Sequence, residues 1–452
     1  MSGKQHDSHR PRGNQDSMIL AENPRMASDK DNEAESIKRL FRMLLSYGSL
    51  LGCSLLGKNE KRPCYITRLK KVLFILIILV YLSGMASVVL SLFPHPSETD
   101  HDILFDIQNG FLVVCMLLAL DGLGCFVALN HANDVITRQN GFCDQILDLI
   151  SSTKELADFR PWKKLIRVNF FRCAVFTVFY IGLIVAHLLD YGIPYPVRYE
   201  RSGKWLGVSA VVTKGIFHLL GFMTFFHASY HGNLFSSLCL MIRLQFAFYC
   251  KKLKEETAET FSTAKIGVYQ SEYSLLAELT DCLDRAFKHA CFCQIFLFTT
   301  TTCFNLFLFT RSGLDVGTGF IVCFPFAMIT VSFIYTIVPA IFLKAEAEKP
   351  KKYLRLWYLK YERSCEQGLI ATHDADRRAI CSLMQWISLE NVGITVSSLA
   401  RLDAPLLLNV GSVVITYFLV ILQFTATPSD TEIHNRAAEN RTLFCGQFCQ
   451  SC

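Results

Sequence analysis

Long apolar blocks alternate with polar and charged segments along this chain. Seven blocks of roughly 20 residues are about the length that an α-helix needs to cross a hydrocarbon core of ~30 Å. We expect membrane-spanning helices at about 72–92, 107–129, 170–189, 208–240, 290–309, 319–343 and 406–424. The pattern therefore predicts an all-α membrane protein with a single seven-transmembrane-helix domain at 72–424.

Basic residues are spread unevenly over the segments that join these blocks. Lys and Arg cluster ahead of the first block and in the connections that precede the third, fifth and seventh blocks, whereas residues 94–102 contain neither. Under the positive-inside rule, the basic segments and the amino terminus lie in the cytoplasm and the carboxyl terminus lies outside. This orientation is the reverse of that of a G-protein-coupled receptor.

Three further segments flank the predicted domain. Residues 1–36 are polar and lack an apolar run, which is typical of a disordered cytoplasmic tail. Residues 37–57 combine apolar positions with several bases, a pattern that favours an amphipathic helix at the membrane interface. Residues 425–452 form a predicted extracellular tail, in which the sequon at Asn440 is a candidate glycosylation site.

Two of the basic connections are long, at about 241–289 and 344–404. Both are rich in charge and in helix formers, and both carry apolar residues at helical spacing. We expect the fourth, fifth and sixth helices to extend into the cytoplasm and residues 380–389 to form a separate helix before the seventh. Neighbouring subunits would cover the apolar faces of such extensions.

Charge and cysteine content narrow the functional classes. The net charge of +6 does not indicate nucleic-acid binding, because the bases lie beside the apolar blocks and follow no recognition pattern. Most of the 18 cysteines lie in or beside apolar blocks, as small buried side chains do. Cys445, Cys449 and Cys452 have the spacing of an iron–sulfur radical-enzyme motif, but they follow a membrane helix on the oxidising side, which favours disulfides.

The last apolar block ends in a polar pattern. Thr416 and Tyr417 are followed by five apolar residues and then by Gln423 and Phe424. A Gln in hydrocarbon needs a partner or water, so Gln423 indicates either a helix contact or an aqueous pathway. If identical helices surround one axis, Gln423 forms a polar ring and Phe424 an apolar ring that can close a pore by dewetting.

The pattern from Thr416 to Phe424 matches the signature of the seventh helix in insect gustatory receptors, and the chain resembles that family. The resemblance implies a tetrameric ligand-gated cation channel, homomeric or mixed with related subunits, in the plasma membrane of sensory neurons. Four seventh helices would line the pore, with Gln423 and Phe424 as the gate and Thr416 and Tyr417 as gating contacts. The implied partners are a small-molecule tastant and membrane lipid, with no cofactor and no enzymatic activity. The tail to Cys452 is longer than in many relatives.

A tastant pocket requires polar groups in a mostly apolar, roomy site. The outer halves of the predicted helices supply such groups, with apolar walls from Phe217, Phe304 and Phe326. The candidate ligand residues are Asp106, Asn109, His187, Lys214, His218, Thr302, Asn305 and Thr330. Asp121 lies deeper, in the inner half of the second helix, where a carboxylate needs a partner or water.

Three other functions stay open at this point. A G-protein-coupled-type receptor has the same number of helices, although the charge placement disfavours it. His227 and His231, four residues apart on one helix face, could ligate a metal in a membrane zinc hydrolase, but no span offers a second His pair. A transporter would predict internal repeats, and none is recognisable.

Overall fold

The computed structural model describes residues 64–92, 107–138, 210–255, 263–311, 316–366 and 374–426, with isolated residues near 35–43 and 163–181. The predicted interfacial helix, most of the third span and both tails lie outside these residues. The same is true of Asp106, His187 and Asn440.

Seven helices and one two-stranded ribbon make up the described ranges. In chain order they are α1 (Cys64–Leu92), α2 (Ile107–Arg138), α3 (Ala210–Glu255), α4 (Thr263–Arg311), α5 (Val316–Glu366), α6 (Asp374–Leu389), β1 (Thr395–Val396), β2 (Ala400–Arg401) and α7 (Ala404–Ala426). Six of these helices, α1–α5 and α7, are long and apolar enough to cross a membrane, and each overlaps one predicted span. The all-α prediction is confirmed for the described residues, apart from the short ribbon.

Three helices are much longer than a bilayer is thick. α3, α4 and α5 contain 46, 49 and 51 residues, which at 1.5 Å per residue corresponds to about 69 to 77 Å. A bilayer with its headgroups measures only about 40 to 45 Å. The structure therefore contains the helical extensions that the apolar spacing predicts, at the end of α3, the start of α4 and the end of α5.

Contacts between helices define their relative directions. α2 and α3 run parallel, as do α3 and α5, whereas α4 runs antiparallel to α2 and α1 antiparallel to α3. For α2 and α3 the contacts are Gly122 with Thr224 and Phe126 with His227, and for α3 and α5 they are Ser236 with Tyr335 and Arg243 with Glu346. For α4 and α2 they are Gln294 with Asp121 and His289 with His131, and for α1 and α3 they are Tyr81 with His227 and Gly84 with Leu220. Successive helices from α1 to α5 are therefore antiparallel, except for α2 and α3, which are parallel and are separated by residues outside the described ranges.

α3 lies at the centre of the bundle. In an 18-residue apolar stretch within His218–Glu255, 72% of the residues are buried. α2 approaches it closely because position 122 is a glycine: a Cβ on Gly122 would lie 2.5 Å from the Cα of Thr224. The core continues into the extensions, where Tyr273 of α4 packs edge-on against Trp386 of α6 with ring centroids 5.7 Å apart.

A tight turn joins the two strands of the ribbon. Ser397 and Ser398 have φ angles of 50° and 64°, and the Leu399 amide donates to the Val396 carbonyl at 2.9 Å. This is the geometry of a type I′ turn, which Asn-Gly adopts far more readily than Ser-Ser. α4 supports the turn: the Ser397 amide donates to the carbonyl of Lys288 at 3.1 Å, and Lys288 Nζ donates to Ser398 Oγ at 3.0 Å.

Candidate functional site

α7 is the least covered membrane-length helix in the described residues. In an 18-residue apolar stretch of Ala404–Gln423 only 6% of the residues are buried, against 33% or more in the corresponding stretch of each of the other five. Its main described contact is with α4, and Ile421, which is 6% exposed, marks the face turned toward the protein. The large exposed side chains include Leu408, Val413, Ile415 and Leu419. The described residues of the chain therefore leave most of this helix uncovered.

A polar stripe runs along the side of α7 away from Ile421. At 3.6 residues per turn, Ser412, Thr416 and Gln423 fall within about 40° of one another and lie about 140° to 180° from Ile421. All three are exposed. Polar side chains on the uncovered face of a membrane helix are suited to a water-filled path between helices.

The four residues of the sequence pattern do not share one face of α7. Thr416 and Gln423 belong to the polar stripe, whereas Tyr417 and Phe424 each follow by one position and so lie about 100° further round the helix. Tyr417 is 45% exposed, and the side chain of Phe424 lies outside the described part. If Thr416 and Gln423 face an axis, the positions of Tyr417 and Phe424 lie toward a flanking helix.

Asp403 caps the amino terminus of α7 and ties it to α5. Its Oδ1 accepts a hydrogen bond from the Leu406 amide at 3.0 Å, and its Oδ2 accepts one from Lys344 Nζ at 2.9 Å. The Lys344 hydrogen bond, assisted by the Leu406 amide, holds the pKa of Asp403 below its usual value. The start of α7 is thus fixed to α5 by a charge-assisted bond.

The ribbon that precedes α7 is fixed to α4 in the same region. Asp284 Oδ1 accepts hydrogen bonds from the amide of Thr395 at 2.5 Å and from its hydroxyl at 2.9 Å. His289 Nδ1 lies 3.2 Å from Ser397 Oγ. A shift of α4 or α5 at this level would therefore move the base of α7.

A hydrogen-bond network in the middle of the bundle surrounds the buried carboxylate of Asp121. Gln294 Nε2 of α4 donates to Asp121 Oδ1 at 2.5 Å, and Ser332 Oγ of α5 donates to Gln294 Oε1 at 3.2 Å. Cys125 Sγ lies 3.8 Å from the same carboxylate oxygen. Asp121 therefore has the partner that an intramembrane carboxylate needs, and the network joins α2, α4 and α5.

Consecutive threonines of α4 differ in what their hydroxyls contact. Thr299 and Thr300 each donate to the carbonyl four residues earlier at 2.8 Å, as helical threonines commonly do. Thr301 and Thr302 are buried, and among the described residues their Oγ1 atoms have no hydrogen-bond partner; neither does Oδ1 of the buried Asn305. Buried oxygens of this kind need water or the polar group of a ligand.

This part of α4 contains two of the predicted ligand residues. Thr302 and Asn305 lie one turn apart, and the structure adds Thr301, whose carbonyl accepts a hydrogen bond from Asn305 Nδ2 at 2.9 Å. Phe304, a predicted wall residue, packs with Val114 of α2. The sequence identified the polar character of this segment but not Thr301.

The other predicted ligand residues are distributed over three helices. His218 is buried on α3. Thr330 Oγ1 of α5 donates within its own helix, to the carbonyl of Phe326 at 2.8 Å. Asn109 and Lys214 lie in α2 and α3, with side chains outside the described part.

His227 and His231 are buried in α3. His227 Nδ1 is 2.9 Å from the hydroxyl of Tyr81 on α1, and His231 packs against the rings of Phe235 and Phe287. In the part of the chain that the structure describes, no group of three or more His, Cys, Asp or Glu side chains could hold a metal ion. The zinc-hydrolase alternative therefore gains no third ligand from these residues.

Several features of the site have no counterpart in the sequence prediction. Ser412 precedes Thr416 by four residues, so helical spacing alone could have placed it on the same face. The bonds of Asp403 with Lys344 and of Asp284 with Thr395 join residues 59 and 111 positions apart. No local pattern reveals contacts at such separations.

The architecture matches that of a solved receptor. With the insect olfactory receptor OR5 from Machilis hrabei in complex with eugenol, the TM-score is 0.56 and the identity is 13%, over 88% of this chain and 100% of that chain. A second structure of that receptor gives a TM-score of 0.49 at 13% identity, over the same shares of the two chains. No protein-family model and no curated protein matches the chain. The first likeness shows that the chain shares the fold of an insect olfactory receptor, a multi-pass membrane fold.

Proposed function

We propose that this protein, which has the fold of an insect olfactory receptor, is a subunit of a ligand-gated cation channel of the gustatory-receptor kind. One observation carries the proposal: α7 is almost uncovered by the described residues of its own chain, and its polar stripe of Ser412, Thr416 and Gln423 lies away from the face that contacts α4. Four copies arranged with these stripes inward would enclose an ion path.

The directions of the helices support seven crossings. α2 and α3 run parallel. Two helices that cross a membrane in the same direction need an odd number of crossings between them along the chain. The predicted third span at 170–189 would supply one. With α1–α5 and α7, this gives seven spans and places the two termini on opposite sides.

The distribution of bases supports an inside amino terminus. The ends of α3 and α5 that extend beyond bilayer length carry clusters of lysines, among them Lys251, Lys252, Lys351 and Lys352, and such ends lie in the cytoplasm under the positive-inside rule. Antibody access to an epitope tag on each terminus in unpermeabilised cells tests this. A G-protein-coupled-type receptor requires the opposite result, with only the amino-terminal tag accessible.

The tastant site in this proposal centres on the unpaired oxygens of α4. Thr301, Thr302 and Asn305 lie toward the outer end of the helix, whereas Asp284 lies about 26 Å from Thr301 along the same helix and holds the ribbon that leads to α7. A polar ligand that hydrogen-bonds to these oxygens would stabilise one position of α4. The same helix would then transmit that position to the base of the pore helix.

A small ligand can supply the free energy that opening of the channel would require. Moving a closed-to-open ratio from 1:99 to 99:1 takes about 5.5 kcal/mol of differential affinity. Four sites divide this into about 1.4 kcal/mol each, which one or two well-placed hydrogen bonds supply.

Substituting Gln423 tests the pore. Gln423→Glu would place a carboxylate ring at the outer end of the path, and the permeability of Ca²⁺ relative to Na⁺ should rise several-fold. Gln385→Glu is the matched control, because Gln385 is exposed on α6 and lies outside the predicted spans. Whole-cell reversal potentials measure both variants. An unchanged permeability ratio in Gln423→Glu channels, with normal surface expression, would exclude the pore role of α7.

A further inference from the structure

An apolar groove of about 240 Å³ lies between α3 and α5. Leu240 of α3 and Ile334, Val338 and Phe342 of α5 line it. Ile334 and Phe342 are 48% and 49% exposed, so the groove is open at the side of the bundle. Because α3 and α5 are both membrane-length helices, this opening faces hydrocarbon.

The floor of the groove contains one backbone carbonyl that lacks its helical partner. Pro339 has no amide hydrogen, so the carbonyl of Tyr335, four residues earlier, loses its helical partner. Ser236 Oγ of α3 donates to that carbonyl instead. A carbonyl without a hydrogen bond at this position would disfavour contact with a hydrocarbon chain. The hydrogen bond from Ser236 satisfies this carbonyl.

Arg243 closes one end of the groove. Its guanidinium lies 4.9 Å from the ring centroid of Phe342, and its Nε lies 3.5 Å from Glu346 Oε2. Its side chain is 36% exposed. From Arg243 the helix runs about 12 Å further to Lys251, so the guanidinium lies at the level of the headgroups when the lysines lie in water.

The charges around Arg243 leave one positive charge in excess. Glu346 pairs with Arg243 at 3.5 Å and with Lys349 at 2.6 Å. Two cations thus share one carboxylate, whose side chain is only 9% exposed. An anion that approaches from the groove meets a guanidinium that is only partly neutralised.

We propose that this groove binds an acyl chain of an anionic glycerophospholipid, with the phosphate of the lipid at Arg243. The apolar wall takes the chain, the exposed part of the guanidinium takes the phosphate, and the bound lipid covers the exposed edge between α3 and α5. The site is separate from the polar stripe of α7 and from the α4 oxygens, so it does not depend on the proposed channel function.

Lipid retention by the purified full-length protein tests the site. The protein is exposed to equal amounts of phosphatidylglycerol and phosphatidylcholine with identical acyl chains, and native mass spectrometry counts the lipids that remain bound. Wild type should retain phosphatidylglycerol over phosphatidylcholine by about tenfold. Arg243→Gln should abolish the preference, and Leu240→Trp, which fills the groove and keeps Arg243, should abolish retention of both lipids.

Arg285→Gln is the matched control. Arg285 is exposed on α4 and pairs with Asp281 at 3.1 Å, so this variant removes the same charge from a helix that does not line the groove and should behave as wild type. Equal loss of preference in Arg243→Gln and Arg285→Gln would overturn the proposal. So would a wild-type protein without a preference, or one that retains neither lipid because a second copy covers the groove. The wild-type comparison decides the head-group preference even if a variant fails to fold.

Discussion

Asp403 and Lys344 join the first turn of α7 to α5 through a bond of 2.9 Å between Oδ2 and Nζ. The same carboxylate caps α7 by accepting the amide of Leu406. α7 rests mainly on α4 elsewhere, so this pair is a second attachment for a helix that has little other support from its own chain. The base of α7 is therefore held between α4 and α5.

Two substitutions of Asp403 separate the ion pair from the helix cap. Asp403→Asn keeps a good capping side chain and weakens only the bond with Lys344, so we expect a loss of about 0.2 to 1 kcal/mol in the free energy of unfolding. Asp403→Ala removes the cap as well and should lose about 1 kcal/mol more. Thermal unfolding of the purified protein measures both. Equal losses in the two variants would mean that the cap contributes nothing.

The ion pair also makes stability depend on pH. Because the pKa of Asp403 is lowered in the folded protein, its contribution is fully present above the unfolded-state pKa of about 3.9. It is lost as the pH falls through the lower folded-state value. The difference in Tm between wild type and Asp403→Asn should therefore be constant above about pH 5 and shrink below about pH 4. A difference that grows in acid would contradict the assignment.

Gly122 should not tolerate even one methyl group. A Cβ there would lie 2.5 Å from the backbone of Thr224, so Gly122→Ala must push α2 away from α3, at a cost of about 1 to 3 kcal/mol. Gly124→Ala is the control, because its Cβ would meet Cys293 at an ordinary 3.9 Å. The folded yield in detergent, measured by size-exclusion fluorescence, should fall for Gly122→Ala and stay near wild type for Gly124→Ala.

Removing the hydroxyl of Thr301 or Thr302 should affect the stability of the protein and its sensitivity to ligand in opposite ways. Replacing Thr301 or Thr302 by Val removes a buried oxygen without a partner, so the free energy of unfolding should stay constant or rise. The concentration of an activating sugar or bitter compound needed for half-maximal current should rise about 2- to 10-fold. Thr299→Val serves as the control, since its hydroxyl bonds within its own helix. Unchanged sensitivity and reduced stability in both the Thr301→Val and the Thr302→Val channels would show that the two hydroxyls have a structural role.

The membrane helices and their extensions were predictable because hydrocarbon thickness sets the length of each apolar block. Residues 380–389, predicted as a separate helix, fall within α6 (Asp374–Leu389). The ribbon was not predictable, because Ser397 and Ser398 carry no local preference for positive φ. That conformation depends on contacts with Lys288, which lies more than 100 positions earlier.

The sequence predicted which chemical groups the candidate site contains better than it predicted where those groups lie. The pattern of Thr416, Tyr417, Gln423 and Phe424 identified α7, and helical spacing places Thr416 and Gln423 on one face, but only the burial of Ile421 shows that this face lies away from the described bundle. The difference between Thr299 and Thr301 is likewise invisible in a run of identical residues. Only the rotation of α4 against its neighbours decides which hydroxyl bonds to the backbone.

The small buried share of α7 has a thermodynamic consequence. If other molecules cover the faces of α7 that the described part of its own chain leaves exposed, the stabilisation that they supply follows mass action. If those molecules are other copies of this protein, the order of the last helix depends on how many copies share a given area of membrane. A sparse population would then lose structure at its carboxyl end before the rest of the bundle responds.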